Sequence, residues 1–100
     1  MTGGATVLVD DVELALSRIS GADVVVVGVP HARLGQLVAA VSTDEAALVL
    51  ARAASTQLTP AQRPRLWFHV DRWPLTDAGK LDRAGVAELA AAGRLTRVGR

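Results

Sequence analysis

The chain of 100 residues contains no cysteine and only two histidines, His31 and His69. Disulfides, thiolate nucleophiles and cysteine-based zinc sites are thereby excluded, and two histidines this far apart make a poor metal cluster. Aromatic residues are almost as scarce at 3%, with one Phe, two Trp and no Tyr. A core must therefore be assembled from Val, Leu and Ala, and each aromatic side chain it does have is an outsized share of the buried area. Excess charge of either sign is also lacking, since 11 Lys and Arg face 10 Asp and Glu, a formal net charge of +1. That balance, with no stripe of basic and aromatic residues, excludes a nucleic-acid binder. Met1 to Ala5 carry no positive charge of the kind that opens a signal peptide, and no apolar run approaches the ~18 residues of a membrane span. A soluble, cytoplasmic protein with no membrane span is the expectation.

What is present reads as alternating short strands and helices. Thr6 to Val9 is β-branched and short, a strand or strand end, and Asp10 is placed to cap a helix from about Asp11 to Ile19, with Gly21 as its stop. Val24 to Val29 is too short for a helix and rich in Val, which predicts a strand buried on both faces at the centre of a sheet and ended by Pro30. A turn over His31 to Gly35 and a second strand over Leu37 to Val41 complete an antiparallel hairpin. Thr43, followed by the acidic Asp44 and Glu45, suits the start of a helix running to about Leu58. After the connector bracketed by Pro60 and Pro64, Leu66 to Val70 predicts a third strand that joins the hairpin, with Trp67 and Phe68 inside it. Leu81 to Ala92 returns to helical spacing and Gly93 closes it, leaving a polar tail over Arg94 to Arg100. The expected fold is α+β: a small three-stranded sheet with helices packed on it, plus a short N-terminal strand, all in one domain over residues 1–100.

Between the third strand and the last helix lies the most informative stretch, Trp73-Pro74-Leu75-Thr76-Asp77-Ala78-Gly79-Lys80-Leu81-Asp82-Arg83, which carries the only lysine of the chain. Its turn formers predict an exposed loop. A glycine beside a lysine lets the backbone approach a ligand while the ammonium reaches past it toward phosphate or carboxylate. A bare Gly-Lys pair is more often only a turn with a solvated charge. A phosphate-binding Walker loop is excluded, because no glycine lies at the required distance upstream and no Ser or Thr follows Lys80.

The pair gains meaning from its surroundings. Pro64-Arg65, a hydrophobic strand, Val70-Asp71, and then Pro74, Thr76, Gly79, Lys80 and Arg83 occur in one order. This resembles the end of the C-terminal domain of adenylate-forming (AMP-dependent) ligases, which include the acyl-CoA synthetases and show a pattern like Val-Asp-x-Leu-Pro-x-Thr-x-x-Gly-Lys-x-x-Arg. Upstream, Gly3-Gly4 through Val12-Glu13 resembles the segment just past that family's interdomain hinge, and Val24 to Gly35 resembles its Val-Val-Gly-Val-Pro-Asp-x-x-x-Gly-Glu segment. The departures are Trp73 where Leu is commoner, His31 for Asp, Gln36 for Glu, Asp11 for the first Glu of Glu-Val-Glu, and Arg63 for Lys.

What the resemblance implies is specific. Lys80 would be the catalytic lysine, contacting the carboxylate substrate and the phosphate region during adenylation, with Gly79 as the hinge of its loop. Gly3 and Gly4 would lie by the pantetheine channel when the thioester forms. ATP and Mg2+ would be bound mainly by a large N-terminal adenylation domain, acting in cis or in trans, and coenzyme A would be the acceptor of the acyl group. Nothing resembling that large domain's Ser, Thr and Gly-rich phosphate loop occurs here, so the chain alone is expected to be inactive, either cut from a longer protein or a separate small subunit. No metal site is expected in the chain. Arg65 and Arg83 read as surface ion-pair partners, Trp67 and Trp73 as packing residues, and the two histidines as turn and strand residues. The competing reading is a stand-alone binding or regulatory module that kept the fold without chemistry, for which an exposed Trp73 beside the Lys80 loop would be a docking surface.

Overall fold

Continuous burial in the Val-rich segment and helical spacing of the apolar residues in the Ala- and Leu-rich ones together dictate the layers. In the computed structural model, which describes residues 9–20, 24–33, 35–60 and 62–98, the order is α1 (Val9–Ser20), β1 (Val25–His31), β2 (Gly35–Ser42), α2 (Glu45–Ala54) with a short 3-10 turn (Ser55–Gln57), β3 (Leu66–His69), α3 (Arg83–Ala91) and β4 (Thr96–Arg97). The strands form one sheet in the order β1-β2-β3-β4. β1 and β2 are an antiparallel hairpin with Val26 opposite Ala40. Between β2 and β3 the chain passes through α2, and β3 accordingly pairs parallel to β2, with Trp67 opposite Ala40.

Alternation along each strand divides the core into two layers. One side gathers Val24, Val26, Ala40 and Trp67 with Val12 and Leu16 of α1 and Leu48 and Ala51 of α2. The other gathers Val25, Val27, Val29, Ala39, Val41 and Phe68 with Val86 and Ala90 of α3. The sheet is thus sandwiched between α1 and α2 on one face and α3 on the other. Consecutive buried valines follow directly, because a strand covered on both faces has no solvent side for polar residues.

β1 is buried on both faces as expected, but it lies at the edge of the sheet and not at its centre. Its run of Val reports faces, which helices cover here, and carries no information about neighbours. Nor does Pro30 end the strand: Pro30 and His31 still pair with Gln36 and Gly35. The Val26 N–H points away from β2 to the Glu13 carboxylate, at 2.8 Å. Pro30 has the same parity as Val26, so its missing N–H falls on the unpaired edge, where a strand tolerates proline.

Other boundaries also shift. α1 begins at Val9, so Asp10 lies within its first turn and not before it. Thr6 to Leu8, Gly21 and Asp23 lie outside the described residues, as does the expected N-terminal strand apart from Val9. Asp44, not Thr43, caps α2 by accepting from the Ala47 N–H at 3.3 Å, and the buried Ser42 hydroxyl accepts from the Asp44 N–H at 3.1 Å. α3 is capped by Asp82, which accepts from the Gly85 N–H at 3.0 Å. It ends at Gly93 with the paired bonds of a Schellman motif, Arg94 N–H to Leu89 C=O at 2.9 Å and Gly93 N–H to Ala90 C=O at 3.2 Å. The tail expected to be merely polar folds back instead. Thr96 and Arg97 add a fourth strand to the expected three by pairing with β3, and Val98 is buried against Trp67 and Leu16.

Candidate functional site

Pro74 to Asp82 is a small hairpin in its own right. Leu75 pairs antiparallel with Leu81. The Thr76 N–H donates to the Lys80 carbonyl at 2.7 Å, and the Gly79 N–H returns to the Thr76 carbonyl at 2.9 Å. Asp77, Ala78 and Gly79 are therefore a three-residue hairpin loop whose last residue takes the left-handed conformation, with Gly79 at φ +81°. The Thr76 hydroxyl accepts from the Lys80 N–H at 3.2 Å, which ties the lysine backbone to the turn. What sequence reading treats as an irregular loop is thus a built turn, since Thr, Asp and Gly are the residues this geometry takes.

A methyl group added at Gly79 would meet no atom within 4 Å, so the demand for glycine comes from the backbone alone. Gly79→Ala is expected to cost about 1–2 kcal/mol for the left-handed conformation. The cost falls on the hairpin: amide exchange at Thr76 is expected to rise about five- to thirtyfold, with little change in the urea midpoint of the whole domain. Unchanged exchange at Thr76 would show that the turn does not need the left-handed residue.

The hairpin is held at its base and free at its tip. Trp73 and Leu81, both partly buried, pack against the core layer on the α3 side. The Asp82 N–H donates to the Pro74 carbonyl at 2.9 Å, closing the base one residue before α3 begins. Residues 75–80 are exposed. Lys80 makes no ion pair with an acid among the described residues; pairs formed between described residues include Arg83–Glu13 and a long His69–Asp71 contact at 3.8 Å.

Arg83 is in α3, three residues past Lys80, and its guanidinium grips the Glu13 carboxylate with two bonds, Nη1 to Oε1 at 2.7 Å and Nη2 to Oε2 at 2.6 Å. Glu13 and Ser17, one turn apart on α1, both face the outer edge of β1. Glu13 accepts from the Val26 N–H, while the Ser17 hydroxyl lies 3.3 Å from the Val24 carbonyl and 3.4 Å from its N–H. Beside these groups opens a groove of about 300 Å³ lined by Glu13, Ser17, Val25, Trp73, Leu75 and Arg83 among others. Leu75, at 61% exposure, is its solvent-facing apolar residue.

Sequence reading reached Lys80, Gly79 and an ion-pairing Arg83; the structure puts Gly79 and Lys80 on the hairpin and turns the Arg83 guanidinium to Glu13 on α1. Gly3 and Gly4 lie outside the described residues. Glu13 was missed as a contributor. The local signal was a polar pair at Glu13 and Ser17, one turn apart on a helix whose other face is apolar, but no local signal names Arg83 as the partner. Among the described residues no group of three or more acidic or His side chains could hold a metal ion, and no helix is long and apolar enough to cross a membrane.

The hairpin offers an exposed cation beside a hydrogen-bonded turn. In water a single ammonium is worth little to an anion, and its effect grows several-fold only when a surrounding surface excludes solvent. The hairpin therefore suits insertion into a cleft supplied by another body.

No family model matches the chain. It is 37% identical over 92 residues to phenyloxazoline synthase MbtB of Mycobacterium tuberculosis, a match covering 89% of this chain and 6% of that protein. Among solved structures it is similar to MatB of Rhodopseudomonas palustris, at 26% identity and a TM-score of 0.73 over 92% of this chain and 20% of that one. MatB has also been solved with ATP bound. An acyl-CoA synthetase of Brucella canis matches at 29% identity and a TM-score of 0.63, over 86% of this chain and 17% of its own. The chain thus spans about a fifth or less of the length of each protein it matches.

Proposed function

Because this chain belongs to the adenylate-forming ligase superfamily and has the fold of its C-terminal domains, we propose that residues 1–100 are one catalytic domain that works against a large adenylation domain, in cis or in trans. The reaction proposed is activation of a carboxylic acid by ATP followed by transfer to a thiol. The carboxylate oxygen attacks the α-phosphorus, the acyl-adenylate forms, and pyrophosphate leaves. Lys80 is assigned to this first step. Held between two anionic reactants, its ammonium offsets their repulsion and stabilises the negative charge on the α-phosphate oxygens as the carboxylate oxygen bonds to phosphorus and the pyrophosphate oxygen leaves. The observation that carries the reading is the placement of the only lysine next to the left-handed Gly79, exposed at the end of a hairpin anchored to the core.

Coenzyme A is the proposed acceptor, supported by the similarity to an acyl-CoA synthetase, with Gly3 and Gly4 assigned to the thioester-forming arrangement. Two reactions served by one small domain require two poses against the large one, a rigid-body rotation about the connection between them. ATP and Mg2+ are assigned mainly to the large domain, as the family resemblance implies. The competing docking-module reading loses its expected feature here, because Trp73 is half-buried against the core layer beneath the hairpin.

The test is pyrophosphate release from ATP with a panel of carboxylic acids, using this chain, the large domain encoded with it, and the two joined or mixed. Release that needs both bodies supports the proposal. Equal release by the large domain with and without this chain would remove it.

A further inference from the structure

The Glu13 carboxylate joins three parts of the fold that are distant in sequence. It sits on α1, accepts from the edge N–H of β1 at Val26, and holds Arg83 at the start of α3 by two parallel bonds. Glu13 is 17% exposed and Arg83 51%, so the carboxylate side of the pair is largely sheltered from water while the guanidinium side is half in solvent. A bidentate guanidinium–carboxylate pair fixes angle as well as distance, which a lysine or a single bond does not.

Arg83 lies directly after Asp82, whose N–H closes the hairpin base at Pro74 and whose side chain caps α3. Asp82 holds the hairpin to α3, and Trp73 and Leu81 hold it to the core layer on one face of the sheet. None of these contacts reaches the opposite layer. Arg83–Glu13 does, and it clamps the junction of hairpin and helix to α1 and the free edge of β1.

We propose that Glu13 and Arg83 are positioning residues for Lys80: their ion pair sets the direction in which the hairpin presents its ammonium. This rests on the assignment of Lys80 above for its catalytic consequence, but not for its structural content. Rotation of the hairpin about its base would move the ammonium, several bonds beyond the pivot, by more than the misplacement that is costly in a preorganised site.

Glu13→Gln separates positioning from simple stabilisation. The amide keeps an oxygen for the Val26 N–H and nearly the same shape, yet it cannot hold the guanidinium with two charge-assisted bonds. In the isotope-labelled chain, amide exchange at Asp82 and Thr76 is expected to rise about three- to tenfold in Glu13→Gln and in Arg83→Gln. Exchange at Val41 and Trp67 in the sheet is expected to stay unchanged. The double substitution should be no worse than either single one, and Arg83→Lys should fall between wild type and Arg83→Gln. Unchanged hairpin exchange, or hairpin and sheet amides rising together, would overturn the proposal.

Kinetics with the large domain supply the second readout. The same variants are expected to lower kcat for pyrophosphate release by about tenfold, with KM for ATP and for the acid nearly unchanged. A rise in KM at constant kcat would count against positioning. Failure of the Lys80 assignment is separately visible: the exchange pattern would hold while Lys80→Ala left pyrophosphate release intact.

Discussion

Lys80→Ala is expected to lower pyrophosphate release in the complete enzyme by about 10²–10³-fold, the range for removing one preorganised charge-stabilising group from a reacting centre. Transfer from a supplied acyl-adenylate to coenzyme A is expected to change by no more than about threefold, because an interaction made only in one transition state is lost only from that step. Neighbouring groups are not expected to compensate for the loss. The hairpin tip is exposed, the lysine is single, and neither Asp82 nor Arg83 can replace it, the first having the wrong charge and the second being engaged with Glu13. Lys80→Arg should not restore the rate, since a planar, wider guanidinium on a different stem does not reproduce a compact point charge. Measured pyrophosphate release and thioester formation decide the matter. Equal loss in both half-reactions would remove the lysine from its assigned step, and loss in neither would favour a docking module without chemistry.

The largest stability effect is expected at Trp67. This side chain is 4% exposed and belongs to the buried cluster that gathers Val12 and Leu16 of α1, Leu48 of α2 and Val98 of the C-terminal tail. Its carbonyl also accepts from the Val98 N–H at 2.8 Å, which holds the tail against the sheet. Truncation to Ala removes the largest apolar surface in a core layer otherwise made of Val, Leu and Ala, and is expected to cost about 3–5 kcal/mol. Against a total stability of about 5–15 kcal/mol for a domain, that is a large share. Trp73→Ala, at a half-buried site beneath the hairpin, should cost about 1–2 kcal/mol. Urea denaturation followed by fluorescence measures both, because each variant retains one tryptophan as its probe. Equal midpoints for the two variants would mean that the packing around Trp67 relaxes to fill the space, and the ranking of the two residues would fall.

Both effects were partly visible in the sequence. Trp67 stands in a short apolar run, and a chain with so little aromatic area must use it. Lys80 follows a glycine in a cluster of turn formers, and its wider pattern resembles one family along most of the chain. The site was legible where chemistry is local: a three-residue loop needs a left-handed residue, and Gly79 supplies it within a few positions of Thr76. The Glu13–Arg83 pair was not, because its partners are 70 residues apart and each alone reads as an ordinary surface charge.

The sequence by itself determined that strands over the Val-rich segments alternate with helices, that α3 stops at Gly93, and that the lysine stands on a turn. Each rests on spacing or on a backbone preference that acts over one to four residues. Only the tertiary structure decided that β1 lies at an edge with Glu13 and Ser17 along it, that Asp44 rather than Thr43 caps α2, and that the tail returns as β4 to bury Val98. A run of valines demands cover on two faces but is silent about which element supplies it. Sheet order, edge protection and the anchoring of Lys80 are settled by contacts between residues far apart in the chain, and those form only when the helices have chosen their faces.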